Sequence, residues 1–241
     1  MFPCIDECFY PNYPWKGTKI PDHGELWGLS WDHMINESSI KMSVNGIRFP
    51  YLFSKSISLV SEDTLSINYF VKNLSEFDLD FIWTAHPMLI AEENLEILLP
   101  EDCRRAINVL NISQIFNRYG QEFNWPDHED NKGAIHNLNK FQNIKNGSCE
   151  KYYFKNKLKE GWAKFKYPSC GSNITISFPV DKVPYLGILM DKEYFKDKLS
   201  YIIPEPCTAP YDRLDIAKSY GSCSTLQAKE TFKWNMDITI E

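Results

Sequence analysis

Long apolar runs are what this chain most clearly lacks. No stretch approaches the roughly 18 apolar residues of a membrane-spanning helix, and the N-terminus lacks the basic-then-apolar order of a secretory leader. Paired cysteine spacing is missing as well. The seven cysteines, at positions 4, 8, 103, 149, 170, 207 and 223, are odd in number and form no Cys-x-x-Cys pair, which indicates neither a disulfide framework nor a zinc ribbon. There is no surplus of positive charge either: 26 Lys and Arg against 32 Asp and Glu leave a formal net charge of −6. That balance argues against a general nucleic-acid or anionic-membrane surface, since both are bound by clustered Lys and Arg. The expectation is a soluble chain of the reducing cytosol, with no nucleic-acid and no membrane partner. Five Asn-x-Ser/Thr triplets, at Asn36, Asn73, Asn111, Asn146 and Asn173, would accept glycans only in the secretory path. In so Asn-rich a chain, chance accounts for them.

Helical periodicity is scarce, and there is no βαβ alternation, internal repeat, low-complexity segment or linker. The chain therefore reads as a single domain over 1–241. What is present is the period of strands. "SIKMSVNGIRFPYLFSKSISLV", residues 39 to 60, alternates around turns at Asn45-Gly46 and Pro50, and Asn-Gly is the strongest short hairpin signal. "TLSINYFVKNL" places Leu65, Ile67, Tyr69 and Val71 on one face, and "FDLDFIWTAHPML" does the same with Phe77, Leu79, Phe81 and Trp83. Residues 118 to 149 carry so many turn formers that they read as a long loop or a lobe of short elements. Strands resume in "KYYFKN", within the run "KYYFKNKLK" of residues 151 to 159 read as a strand with a solvated edge, then in "GWAKFKYP", "NITISFP" and "VPYLGILM", whose Tyr185, Leu186, Ile188 and Leu189 read as a nearly continuous buried run. "YDRLDIAKSYG" is a short helix with Gly221 as its stop, and "ETFKWNMDITIE" is a closing strand. The class is all-β: a large antiparallel sandwich with few short helices.

Three polar positions sit against this pattern. His23 lies in "IPDHGELW", where Pro21 and Gly24 enforce a turn at the edge of a scaffold. It is open to both a functional and an ordinary solvated role. His86 stands at a strand end just before Pro87; an imidazole there suits a structural hydrogen bond as well as catalysis. Glu205 lies between Pro204 and Pro206, which restrict the backbone on both sides. A rigid carboxylate suits a general base, and it also suits a simple turn.

Together, "FPCIDECFYP" with "WKGTKIPDHGELW", then "YFVKNLSEFDLDFIWTAHP", then "PEPCTAPYDRLDIAKSYG" with "STLQAKETFKW" resemble the aldose 1-epimerase (galactose mutarotase-like) family over nearly the whole chain. The segment from about 100 to 150 contributes little. The resemblance implies a galactose mutarotase-like β-supersandwich that binds an aldose and exchanges its α and β anomers, with no metal and no cofactor. In that pattern His86, whose "HP" resembles "HPYF", is the general acid, and Glu205 in "EPCTAP" is the general base. His23 of the "HG" motif contacts the sugar, with Glu25 beside it. Trp27, Trp83 and Trp162 are candidates to stack on the sugar's C–H face, a core role being equally open for each.

The departures are specific. The related hexose-phosphate mutarotases carry HGxxR, with the arginine on a phosphate, whereas "HGELW" places Glu25, Leu26 and Trp27 there. The negative charge of Glu25 points to an unphosphorylated sugar. Lys151 to Phe154 occupy the region of the family's sugar-binding aspartate without offering one. Met1-Phe2-Pro3 stands where the first sheet is already under way, so the resemblance implies either a short member or a chain lacking N-terminal strands. A homodimer is one expected assembly. Two other site readings are weaker. "DHEDNKGAIH" holds Asp127, His128, Glu129, Asp130 and His136, but their spacing matches no recognised metal site. Cys4 and Cys8 have no second pair. The alternative function is a non-catalytic carbohydrate-binding or regulatory protein on the same fold.

Overall fold

The structure is a computed structural model that describes residues 1–130, 132–195 and 198–241. It is nearly all β, with antiparallel sheets and, among the described residues, one α-helix. Packing divides it into two units. The first comprises Met1–Thr84, Asp181–Val183 and Cys207–Thr239; the second comprises Ala85–Val180, Pro184–Pro206 and Ile240–Glu241.

In the first unit, Asp32–Ile35, Ser39–Asn45, Tyr51–Leu59, Thr64–Asn73 and Thr231–Ile240 line up as neighbours in one sheet. The expected hairpin is present, with Ser39 opposite Ser58 and Asn45 opposite Leu52. Alternation sends Val44, Phe53, Val71 and Trp234 to the buried side, while Lys41, Asn68 and Lys233 remain exposed. Trp234 stacks on Tyr69 at 5.3 Å and meets Trp83 edge-on at 5.0 Å. Trp83 is thus a core residue, 2% exposed.

The 77–89 segment differs from its expected one-faced strand. Regular pairing covers Leu79–Phe81 and resumes at Leu89, and Asp80 and Ile82 are buried along with Leu79 and Phe81. Asp80 tolerates this because Thr225, Asn12 and Lys218 meet its carboxylate. Phe77, placed on the inner face by alternation, is exposed. The expected helix forms over Leu214–Ser219, and Gly221 beyond it takes a positive φ of 64°, a conformation that glycine adopts without steric cost.

The second unit is built on a six-stranded sheet in the order Glu122–Asn124, Arg105–Asn108, Ser148–Phe154, Tyr185–Lys192, Ser200–Cys207 and Leu89–Ile90. Glu96–Leu98, Trp162–Tyr167 and Ser172–Ser177 form a further antiparallel group. Ser148–Phe154 is buried at every residue and has a strand on each side, which corrects the solvated edge for residues 151 to 154, while Lys155, Lys157 and Lys159 beyond the strand are exposed. Residues 118 to 149 form the lobe of short elements, including the hairpin of Asp127–Glu129 with Ile135–Asn137.

That hairpin carries a buried titratable group. His128 is 5% exposed and packs against the rings of Phe116 at 4.9 Å and Phe123 at 5.3 Å. Its Nε2 has no hydrogen-bond partner. Burial, and then the neighbouring His136, push its pKa below the ordinary histidine value. The folded state therefore resists a proton that the unfolded chain accepts. The resulting stability is complete above the ordinary value of about 6.5 and is lost as pH falls through the lowered folded value. Replacing His128 with Phe is expected to flatten the decline of the urea midpoint between pH 7.5 and 5. An unchanged decline in the variant would exclude His128 as its source.

Candidate active site

Glu205 lies within Ser200–Cys207, a strand that two prolines hide from sequence reading. The ladder explains why they are tolerated. Pro206 turns its carbonyl toward Ala85, whose N–H donates to it at 3.0 Å, and residues two apart along a strand point the same way. Both prolines therefore place their missing N–H on the side of Leu89–Ile90, which pairs only with Tyr201 and Ile202. The N–H of Glu205 faces the long neighbour Tyr185–Lys192, so no donor is lost there.

The Glu205 side chain is fully buried, and one of its oxygens, Oε2, is held by two residues of a strand two places away. Tyr153 donates its hydroxyl at 2.7 Å, and Lys151 Nζ lies at 3.0 Å. Ser148–Phe154 and Ser200–Cys207 are separated by Tyr185–Lys192, so these side chains span two strand spacings of about 4.8 Å each. Gly187 makes that crossing possible. It sits directly opposite Tyr153, and a Cβ at 187 would lie 2.4 Å from the Tyr153 ring.

His86 completes the cluster. The bond from Ala85 to Pro206 ties together the neighbours of His86 and Glu205 in sequence. The result is a separation of 3.8 Å between His86 Nε2 and Glu205 Oε1, beyond a direct hydrogen bond. The imidazole is 23% exposed and the carboxylate is not exposed at all, so solvent meets the pair from the histidine side. The structure brings together the two residues expected as acid and base. It adds Lys151 and Tyr153, which sequence reading left without a role. The signal for them was a lysine two places before a tyrosine in an aromatic-rich strand.

The other expected site residues belong to the first unit. His23 adopts a positive φ of 62°. Its backbone N–H donates to Ile5 at 2.6 Å, and that of Glu25 donates to Phe2 at 2.9 Å. Gly24 between them is obligatory, since a Cβ there would stand 2.2 Å from the Phe2 carbonyl oxygen. The His23 ring pairs with Asp22 at 2.9 Å and lies 5.1 Å from that of Trp27, which is 77% exposed. Glu25 turns inward and is 2% exposed. Its oxygens accept from the Arg48 backbone at 2.6 Å and from the Tyr51 hydroxyl at 2.8 Å, with the Arg48 guanidinium 3.5 Å away. Burial, and then the Glu25 charge, raise the Tyr51 pKa and keep that phenol a donor. With its charge answered in place by Arg48, Glu25 no longer supports the preference for an unphosphorylated sugar.

Of the "DHEDNKGAIH" residues, His136 binds Asp130 at 3.0 Å and Asp127 accepts from Asn137 at 2.6 Å. Among the described residues, no three His, Cys, Asp or Glu side chains are arranged to hold a metal ion, and no helix is long and apolar enough to cross a membrane. A trough of about 770 Å³ on the first unit's sheet is floored by Ser43, Ser54 and Ser56. It contains neither His86 nor Glu205.

No protein-family model and no curated protein matches the sequence. Solved structures do match. A galactose mutarotase-like protein from Lactobacillus casei ATCC 334 superposes with a TM-score of 0.71 at 17% identity, covering 99% of this chain and 83% of that one. The galactose mutarotase related enzyme from Lactobacillus acidophilus gives 0.70 at 15% identity, over 100% and 81%. The Slr1438 protein from Synechocystis sp. PCC 6803 gives 0.68 at 17%, over 100% and 76%. The chain has the galactose mutarotase-like fold, as the resemblance in its sequence implied. At these identities the likeness carries the fold alone.

The passage over Gly187 can be tested directly. Gly187→Ala is expected to lower stability in urea by about 1–3 kcal/mol through overpacking. The Gly187→Ala, Tyr153→Ala double variant should cost less than the sum of the two single changes. Strict additivity would show that the two positions do not compete for space.

Proposed function

We propose that the protein is an isomerase of the aldose 1-epimerase type, interconverting the α and β anomers of an aldose at His86 and Glu205. The observation carrying this reading is the 3.8 Å approach of His86 Nε2 to Glu205 Oε1, with the other carboxylate oxygen already occupied. Anomer exchange removes a proton from the C1 hydroxyl and delivers one to the ring oxygen, and those two oxygens share a carbon. An acid and a base a few ångströms apart match that demand.

In the forward step Glu205 Oε1 takes the hydroxyl proton and C1 becomes the carbonyl carbon. The bond from C1 to the ring oxygen breaks, its electron pair stays on that oxygen, and protonated His86 supplies the proton there. Rotation about C1–C2 presents the other carbonyl face. Ring closure then runs the transfers in reverse, with His86 recovering its proton and Glu205 returning its own. Carboxylates are ordinarily ionised near neutrality and histidines exchange protons there, so the cycle consumes no outside donor.

The second reading, sugar binding without turnover, draws on the Lys151 ion pair, because a carboxylate tied to an ammonium is a weaker base. Polarimetry of freshly dissolved α-glucose and α-galactose separates the two. The protein is expected to speed relaxation to anomeric equilibrium, and Glu205→Gln and His86→Asn should each reduce that acceleration by about 10² or more while remaining folded. Rates like the wild type in either variant reject the assignment. Saturable sugar binding with no acceleration supports the second reading.

A further inference from the structure

We infer that Lys151 is a positioning residue of this site, committing Glu205 Oε2 to the protein so that Oε1 is the oxygen that exchanges the proton. The inference rests on the reading above and assigns the two carboxylate oxygens different work.

Three observations carry it. First, the pair is deeply buried, with side-chain exposures of 6% for Lys151 and none for Glu205. Removing two charges from water costs several kcal/mol per ion, and a well-packed apolar pair often stabilises a fold as well or better. The strand around Lys151 is buried throughout and rich in aromatic residues, so an apolar side chain would suit the packing, and stability alone gives little reason for an ion pair.

Second, Lys151 and Tyr153 are two apart on one strand and so share a face, and both converge on the same oxygen. Two donors on Oε2 fix the rotation of the carboxyl group and aim Oε1 at His86. Third, Lys151 Nζ also lies 5.5 Å from the centre of the Tyr153 ring, within cation–π range. The ammonium is therefore held by an aromatic face and an anion together, and the tyrosine is held above Gly187. The chemical consequence is that Lys151 opposes the effect of burial, which favours the neutral acid, because a cation within about 4–6 Å favours the ionised carboxylate.

The test combines a rate profile with a readout independent of turnover. Lys151→Met is expected to move the acidic limb of the mutarotation profile to higher pH by about one to three units. Lys151→Arg should restore much of the wild-type position. Tyr153→Phe, which leaves the ammonium in place, should move the limb less and in the same direction. In parallel, the Glu205 carboxylate band, identified by infrared difference against Glu205→Gln, should show its protonation midpoint moving upward in Lys151→Met. If limb and midpoint both stay at their wild-type positions in folded Lys151→Met, the inference is overturned and the acid-base assignment survives. If the wild type accelerates mutarotation of no aldose, the functional reading fails instead, and the infrared shift still decides whether Lys151 holds the Glu205 charge.

Discussion

A carboxylate shut away from water has to be answered by protein donors, and the centre of the six-stranded sheet is arranged around that requirement. Glu205 lies on one strand and the Lys151 and Tyr153 that meet it on another, with Tyr185–Lys192 between them. The crossing requires a residue without a side chain in the middle strand, which Gly187 supplies opposite Tyr153. It also requires a strand that tolerates prolines flanking the carboxylate, which the short partner Leu89–Ile90 allows. Backbone pairing, one glycine and two donors thus serve a single side chain. Without the donors, the burial cost of the charge would fall on the sheet itself.

A second buried glutamate shows how the same residue type is put to structural use. Glu25 closes a loop by accepting from Arg48 and Tyr51, both in its own unit. Nothing in the residue type separates the two roles; the donors do. At Glu25 both oxygens accept hydrogen bonds within the protein, and the charge stabilises the turn that presents His23 and Trp27. At Glu205 the Lys151 and Tyr153 contacts fall on one oxygen, and the other lies 3.8 Å from a part-exposed imidazole. The proposed proton exchange uses the oxygen that faces the imidazole, whereas bonds on both Glu25 oxygens suit anchoring.

Most strands were legible because alternation reports a half-buried surface. Ser39–Asn45, Tyr51–Leu59, Thr64–Asn73 and Thr231–Ile240 formed where the pattern placed them. The pattern read Tyr185–Lys192 as buried on both faces, as it is, and misled at two other places where both faces are covered. Around Leu79–Phe81 alternation placed Asp80 outward, yet it is buried with Thr225, Asn12 and Lys218 on its carboxylate. In Ser148–Phe154 the lysine read as an edge, although it lies in the middle of the sheet. The strand carrying Glu205 was obscured by its prolines, since a local reading cannot know which side of a strand its partner occupies.

The sequence by itself determined the all-β class, the single short helix, the turn around His23 and the candidacy of His86 and Glu205. The class, the helix and the turn rest on local physics: the period of side chains along a strand, the fixed φ of proline and the freedom of glycine; the acid and base candidacy rests on the family resemblance. Only the tertiary structure decided that Lys151 and Tyr153 meet Glu205, that Glu25 faces inward and that Trp83 is core. Each of these depends on the donors and rings that residues distant in sequence bring to one place. Burial and charge pairing are properties of that assembled surrounding, and no window along the chain contains it.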